Sequence, residues 1–253
     1  MALGFETAAT DSFRLRALRS GASRRAGADD LLPLIWSSLK RGSLVVHDNG
    51  IDAERAWLVL ERPECVQSLR RAGLGDRTLD SVLLGRPQKL VAIEQGVSFS
   101  TLAVALKNSI ARMNVGGCPS RVPLALPLLA HAVARRGALR ASVAGHFPTR
   151  AGDRCLVVLE RLEAVLRGIL SPSEFAVAHR LLEGRGYTEI AEERGASART
   201  IANQICSIGK KLGARGRFDV LRVTVGRHSS MRTRLAPSEA TPAPAGDASA
   251  LLG

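Results

Sequence analysis

The apolar positions near the C-terminal end of the folded region recur with the period of an α-helix. Four such side chains follow one another at steps of four, three and four residues: Ile201, Ile205, Ile208 and Leu212. They share one face of a helix, which we expect to begin at Ser197. A short helix over 189–194 is predicted to end at Gly195, because glycine tolerates the positive φ of a tight turn.

A third helix is predicted upstream of these two. Ser171 can cap free backbone N–H groups, Pro172 fits the first turn, and Glu174 can complete a capping box. We expect this helix to run to about residue 183 and to stop at Gly184.

Short apolar runs, partly β-branched, predict β-hairpins. In the first hairpin the strands are Leu44-Val45-Val46 and Trp57-Leu58-Val59-Leu60, and the turn is expected at Asp48-Asn49-Gly50. The predicted fold class is therefore mainly α with small β-hairpins, an α+β arrangement.

The chain resembles itself at a separation of 99 residues. Residues 54–62 align with 153–161, and the same offset continues without a gap to Leu106, which pairs with Ile205. Upstream, 40–44 resembles 135–139 at a separation of 95, so the second copy has four extra residues before its Val-Leu-Glu-Arg. These offsets predict a tandem duplication.

Each unit is predicted to contain a helix (about 31–41 and about 124–136), a β-hairpin and a four-helix module. The predicted boundaries are a disordered basic tail, 1–28; a helix and hairpin, 29–74; a divergent helix-turn-helix, 75–121; a second helix and hairpin, 122–168; a second helix-turn-helix, 169–225; and a disordered tail, 226–253.

The net charge of +13 is unevenly distributed and changes the interpretation of these helices. No acidic residue occurs between Val97 and Gly152, or between Arg194 and Arg217. A basic, acid-free segment suits a polyanion, because each neutralised phosphate releases condensed counterions. On charge alone, a solvated helix face explains the pattern equally well.

Other classes of protein find little support in the sequence. It contains no nucleophile elbow, no phosphate-binding P-loop, no HExxH and no GxGxxG motif, so we expect no enzyme and no cofactor. The four cysteines and five histidines lack metal-ligand spacing, and the cysteines are interpreted as buried thiols of a reducing cytosol. No apolar run is long enough to span a membrane and no signal peptide is recognised, so we expect a cytoplasmic protein.

The second helical module, about residues 169–225, contains a motif with many fixed points: Leu170-Ser171-Pro172-Ser173-Glu174, Gly184, Glu189-Ile190-Ala191, Gly195, Ser197, Thr200-Ile201, Lys211-Leu212-Gly213-Ala214 and Arg217. On these residues it resembles the DNA-binding domain of LuxR-type (NarL-like) transcriptional regulators. The resemblance implies a four-helix domain that lays its third helix in the DNA major groove, and a fourth helix that often pairs domains into dimers.

The resemblance also implies which residues touch DNA. Ser197, Arg199 and Thr200 match positions near the sugar-phosphate backbone. The groove-facing positions correspond to Ala202, Asn203 and Cys206, and phosphate contacts are expected from Lys210 and Lys211. The family commonly has a long polar residue where Ala202 stands, and often a phosphate-binding Lys where Thr188 stands. Only Asn203 offers a bidentate edge suited to adenine.

The first module resembles the same family more weakly. Its phosphate-type residues are Lys89, Ser98 and Thr101, and its groove-facing set is Ala103, Val104 and Lys107. The final Lys-Leu-Gly is replaced by Arg112-Met113-Asn114, and Pro87 stands where a capping Ser is common. A degenerate packing or dimerisation module is the alternative interpretation.

These observations predict a nucleoid-associated bacterial transcriptional regulator that binds double-stranded DNA. Phosphates would be neutralised by Arg199, Lys210, Lys211 and Lys89, and bases read by Asn203 and Lys107. The two modules would act as an intramolecular pair or within a homodimer. Neither a receiver domain nor an acyl-homoserine-lactone domain is recognised in the remaining chain.

Two rival functions remain open. One is a protein-interaction module that docks RNA polymerase or another regulator. The other is a sigma-factor-like promoter subunit, because the first module also resembles the small helix-turn-helix of sigma factors. Such a subunit needs an aromatic, basic promoter-melting helix, and residues 29–74 contain none.

Overall fold

The computed structural model describes residues 28–52, 54–63, 73–116, 118–149 and 152–235. In chain order the elements are α1 (Ala28–Arg41), β1 (Val45–Ile51), β2 (Arg55–Glu61), α2 (Leu74–Leu83), α3 (Gln88–Glu94), α4 (Phe99–Arg112), a 3₁₀ turn (Pro119–Arg121), α5 (Ala125–Ala134), β3 (Ala141–Thr149), β4 (Gly152–Glu160), α6 (Glu163–Arg167), α7 (Pro172–Glu183), α8 (Tyr187–Glu193), α9 (Ala198–Leu212) and α10 (Arg217–Leu235). The protein is mainly helical with a small antiparallel sheet, as the predicted class requires.

The two predicted hairpins are present, and they join into one four-stranded sheet in the order β1-β2-β4-β3. The strands β2 and β4 pair antiparallel at its centre, with Leu58 opposite Val157. The sequence did not predict this pairing, because it joins residues about a hundred positions apart.

The turn of the first hairpin lies four residues beyond its predicted position. Asp48, Asn49 and Gly50 are part of β1, which bulges between Val46 and Asp48. The chain turns instead after Asp52, whose carboxylate accepts hydrogen bonds from the backbone N–H groups of Glu54 (2.8 Å) and Arg55 (2.7 Å). This side-chain turn satisfies the free backbone donors, so no Asn-Gly turn is needed.

One face of the sheet is covered by helices. Helix α1 packs against β3, and α5 packs against β1, β2 and β4. Leu58, Leu60, Val157 and Leu159 point into this layer and are fully buried. Burying each such side chain contributes about 1.5–3 kcal/mol to folding. Trp36 of α1 is also buried, and its indole N–H donates to Asp80 (2.8 Å).

Six of the other described helices form two similar groups, α2–α3–α4 and α7–α8–α9. The predicted helix starts are confirmed: Ser171 caps α7 in a capping box with Glu174, and Ser197 caps α9. The predicted stops at Gly184 and Gly195 are also confirmed, because both glycines have positive φ. Helices α8 and α9 pack through Ile190 and Ile201, which are fully buried.

Two predictions about the ends and the thiols need correction. The tail predicted from residue 226 is wrong as far as Leu235, because α10 continues to that residue. Its extension is tied to the sheet by His228, which lies 3.0 Å from a carboxylate oxygen of Glu160. Of the thiols predicted to be buried, Cys155 is buried but Cys118 and Cys206 are exposed. Residues 1–27 and 236–253, and Cys65, lie outside the described residues.

Within the described residues, no single helix is long and apolar enough to cross a membrane. Helices α3 and α4 reach that length and composition only when taken together, and they are bent by 107° relative to one another.

Candidate nucleic-acid interface

The outward side of α9 carries an acid-free row of polar side chains. Arg199, Asn203, Cys206 and Lys210 recur at steps of four, three and four residues, opposite the buried Ile201, Ile205, Ile208 and Leu212. All four side chains are exposed, and we call them the outer face of α9. Neither Arg199 nor Lys210 is paired with any acid that the structure describes. Two uncompensated cations therefore flank an amide and a thiol.

The beginning of α9 is fixed by its own side chains. The Ser197 hydroxyl accepts a hydrogen bond from the Thr200 backbone N–H (3.1 Å) and lies 2.8 Å from the Thr200 hydroxyl. Both residues are exposed, as is Thr188 in the first turn of α8, whereas Ala202 is half-buried. Ser197, Thr188 and Arg199 are thus accessible, and capping orients the first turn of α9.

Lys211 has a partner within the protein. Its ammonium lies 2.6 Å from a carboxylate oxygen of Glu174, which also accepts hydrogen bonds from the Ser207 hydroxyl and the Ser171 backbone N–H. The Lys211 hydrogen bond first, and then those from Ser171 and Ser207, lower the pKa of Glu174 to about 2. Lys211 therefore joins α9 to the start of α7, and its charge is not free like that of Lys210.

The equivalent surface of the first module has the same shape but different chemistry. Ser98 caps α4, its hydroxyl accepting from the Thr101 backbone N–H (3.0 Å). The residues that correspond to the outer face of α9 are Ser100, Val104, Lys107 and Ala111, and we call them the outer face of α4. Of these only Lys107 is charged. Lys89, on α3, is exposed as well, and Ala103 is half-buried.

Sequence reasoning missed an apolar surface on α3 and α4. Four large side chains are exposed there: Leu90 (45%), Ile93 (75%), Phe99 (49%) and Val104 (57%). At a separation of 99 residues, the second module has Glu189, Glu192, Ala198 and Asn203. The alignment of the two copies contained a signal for this surface, because at each of these positions the first copy has an apolar residue where the second has a polar or small one.

Arg217 lies within the basic segment that the sequence suggested for phosphate binding, but the structure buries it. Its guanidinium donates hydrogen bonds to the carbonyl oxygens of Leu182 (2.7 and 3.0 Å), Val122 (2.7 Å) and Ser120 (2.9 Å). Burial lowers the pKa of this guanidinium to about 10. Arg217 therefore holds α10 against α7 and the segment before α5, and is not available to a ligand.

The described residues show no arrangement typical of a metal centre. No group of three or more His, Cys, Asp and Glu side chains is positioned to hold an ion in the ranges that the structure covers. His179 does lie between two carboxylates, with Nε2 2.8 Å from Glu163 and Nδ1 3.3 Å from Glu183. Arg161 pairs with both carboxylates, and Arg167 and Arg180 pair with Glu163 and Glu183 respectively, so cations of the protein already compensate this cluster.

In comparisons with known proteins, the chain matches no protein-family model, no curated protein and no solved structure. A function for this protein therefore has to be argued from its own residues.

Proposed function

We propose that this protein binds duplex DNA as a transcriptional regulator, with α9 as the recognition helix of a helix-turn-helix module. The observation that carries the proposal is the outer face of α9, where Arg199 and Lys210 have no acidic partner among the described residues and no acid lies between them in the sequence. A helix with this face suits a major groove about 12 Å wide, which is lined on both sides by phosphates.

The spacing along α9 supports separate roles for its residues. Arg199 and Lys210 are eleven residues apart, which corresponds to about 16 Å along a helix. That distance lets them reach phosphates of opposite strands while Asn203, between them, faces the base edges. The Asn203 amide suits N6 and N7 of adenine, and Ala202 and Cys206 suit the methyl group of thymine. Ser197 and Thr200 would meet the backbone at the start of the helix.

We further propose that the chain is a tandem duplication. Helices α3 and α4 begin at 88 and 99, and α8 and α9 begin at 187 and 198, the same offset of 99 that aligns the sequences. Leu58 and Val157, which this offset equates, face each other in the central strand pair. Such self-pairing of equivalent residues is the arrangement expected around a two-fold axis.

The hairpins support the duplication as well. Fourteen positions separate the paired residues Val46 and Leu60, and eighteen separate the equivalent pair Ala141 and Leu159. The four extra residues of the second copy thus lie at the far end of its hairpin. The joined sheet would then carry two helical modules on one chain, in place of the two subunits of a dimeric regulator.

The test is selection of bound sequences from random duplexes, followed by affinity measurements on the enriched sequence at several salt concentrations. The Arg199→Glu/Lys210→Glu variant should weaken binding about a hundredfold and reduce the salt slope by about two. Arg77→Glu/Arg136→Glu is the matched control, because it changes the net charge equally at exposed cations outside α9. Equal losses in the two variants would overturn the role of α9.

A second candidate function, docking of a protein partner by the first module, is favoured by the apolar surface of Leu90, Ile93, Phe99 and Val104. Contiguous exposed apolar patches mark interaction sites, and these four side chains lie on two helices that pack against each other. With purified RNA polymerase as the probe, Ile93→Glu should reduce co-elution and leave DNA affinity unchanged. Retained co-elution would remove the polymerase as the partner of this surface.

A further inference from the structure

A hollow of about 600 Å³ lies between α10, α6 and the end of α5. Four of its lining side chains are large and apolar: Val165, Ile169, Val223 and Met231. Met231 is among the exposed large apolar residues of the protein, so one side of the hollow is open to solvent. Binding sites for small organic molecules commonly have volumes of 300–1,000 Å³ and walls of this kind.

The rest of the wall is strongly basic. Arg135, Arg222 and Arg227 line the hollow, and no acidic residue does. Arg222 is paired with Asp219 (2.5 Å), whereas Arg135 and Arg227 have no acidic partner in the part of the chain that the structure describes. The guanidinium of Arg135 reaches across to α10 beside Gly226. Two uncompensated positive charges therefore border an apolar space.

A buried polar group lies next to these cations. His131 precedes Arg135 by one turn of α5 and is completely buried, and neither ring nitrogen has a hydrogen-bond partner among the described residues. Burial first, and then the charges of Arg135 and Arg222, lower the pKa of His131 to about 4. The ring is therefore neutral at pH 7, so it neither adds to nor offsets the positive charge of the arginines.

We propose that this hollow binds a small amphipathic anion, a carboxylate or phosphate monoester on an aliphatic body. Arg135 and Arg227 would hold the head group through charge-assisted hydrogen bonds, and the four apolar residues would cover the body. A second copy of the chain is a poorer occupant, because docking two such hollows would bring six arginines together. A neutral apolar ligand would leave the two free guanidinium groups unused.

Binding of the anion does not depend on DNA binding. Only the regulatory consequence of the site rests on the proposed function. Helix α10 begins five residues after α9 ends, and α9 and α10 are in contact. A ligand that joins α10 to α5 and α6 would favour one placement of α10 and hence of the recognition helix. By linkage, such a ligand and DNA would change each other's affinity by the same factor.

The test measures binding of dodecanoate, below its micelle concentration, to the full chain by isothermal titration. We expect one site per chain, a similar affinity for dodecyl phosphate, at least tenfold weaker binding of dodecanol, and none of dodecyltrimethylammonium. Arg135→Gln/Arg227→Gln should weaken dodecanoate binding at least tenfold, and Arg77→Gln/Arg136→Gln should not. Equal affinity for the alcohol, or full binding by the first variant, would overturn the proposal.

A second variant keeps the test decisive if the double variant unfolds. Met231→Glu alters an exposed residue and places an anion in the hollow, so it should abolish dodecanoate binding without lowering the melting temperature. Unchanged binding would again overturn the site. These titrations contain no DNA, so a chain that bound dodecanoate but no duplex would refute only the proposed function and the regulatory link.

Discussion

The two helical modules share their backbone plan and differ in the surfaces that they present. At equivalent positions, the outer face of α9 has Arg199, Asn203 and Lys210, whereas that of α4 has Ser100, Val104 and Ala111. The buried positions of both helices are apolar, so folding requires the same pattern in each. A module of this shape therefore carries no function by itself, and its outward residues decide what it binds.

The modules also differ in how their first and third helices meet. An ion pair joins these helices in both, Asp76 with Arg112 and Glu174 with Lys211. In the first module Gly75 lets α2 approach the backbone of α4 closely, whereas Glu174 occupies the equivalent position in the second. In the first module close packing at Gly75 therefore accompanies the ion pair, whereas in the second Glu174 itself is the centre of a polar network.

The largest expected effect comes from exchanging the outer faces. Arg199→Ser/Asn203→Val/Lys210→Ala gives α9 the chemistry of α4, and should weaken DNA binding about a hundredfold because two phosphate contacts and one base contact are lost. Fluorescence anisotropy with the selected duplex measures the change.

The reciprocal exchange tests the same idea in the other direction. Ser100→Arg/Val104→Asn/Ala111→Lys gives α4 the chemistry of α9 and should strengthen protection of the second half-site in the DNA footprint. If the first exchange left affinity intact, the contrast between the two faces would have no bearing on DNA.

A smaller effect is expected at the close helix contact of the first module. In Gly75→Ala the new Cβ would lie well inside van der Waals distance of the Ala105 carbonyl oxygen. We expect a loss of about 2 kcal/mol in the free energy of unfolding, since overpacking against backbone outweighs the better helix propensity of alanine. Urea unfolding followed by circular dichroism measures it.

Gly168→Ala is the matched control for this substitution. Gly168 has a negative φ, and the nearest atom to an added Cβ lies at 3.8 Å. Its effect should stay within about 0.5 kcal/mol. Equal stabilities of the two variants would show that close packing does not distinguish the first module.

Local patterns in the sequence were sufficient to predict α7, α8 and α9 and the apolar face of α9 that is buried. Its capping serine and the repeat of Ile201, Ile205 and Ile208 depend only on neighbours within two turns. The pairing of β2 with β4 was not predictable in the same way. The alternation of apolar and polar residues in each hairpin is equally compatible with a hairpin that joins no larger sheet. Joining them depends on contacts between residues far apart in the sequence.

The errors have similar causes. Asp48-Asn49-Gly50 has the composition of a turn, yet Gly50 lies within β1 where the Trp57 indole rests against its backbone. The sequence around Arg217 suggests a surface cation. In the folded protein, carbonyl oxygens of residues distant in the sequence, such as Leu182 and Val122, accept hydrogen bonds from its buried guanidinium. A cross-strand contact seven residues away in the first case, and carbonyl groups 35 and 95 residues away in the second, override the local preference of the residue.

The smallest predicted effect is a pH dependence that belongs to the second module. The pKa of Glu174 is lowered from an ordinary value of 4.5 to about 2 in the folded protein, so its carboxylate stabilises folding above pH 4.5. As the pH falls through about 2 the carboxylate becomes protonated and this contribution is lost. Glu174→Gln should therefore flatten the fall in unfolding free energy between pH 4.5 and 2, as measured by urea titrations at successive pH values.

Glu192→Gln, at an exposed position, should leave the fall unchanged. Because Gly75 replaces Glu174 in the first module, an unaltered slope in Glu174→Gln would mean that the polar network does not stabilise the second module as its contacts indicate.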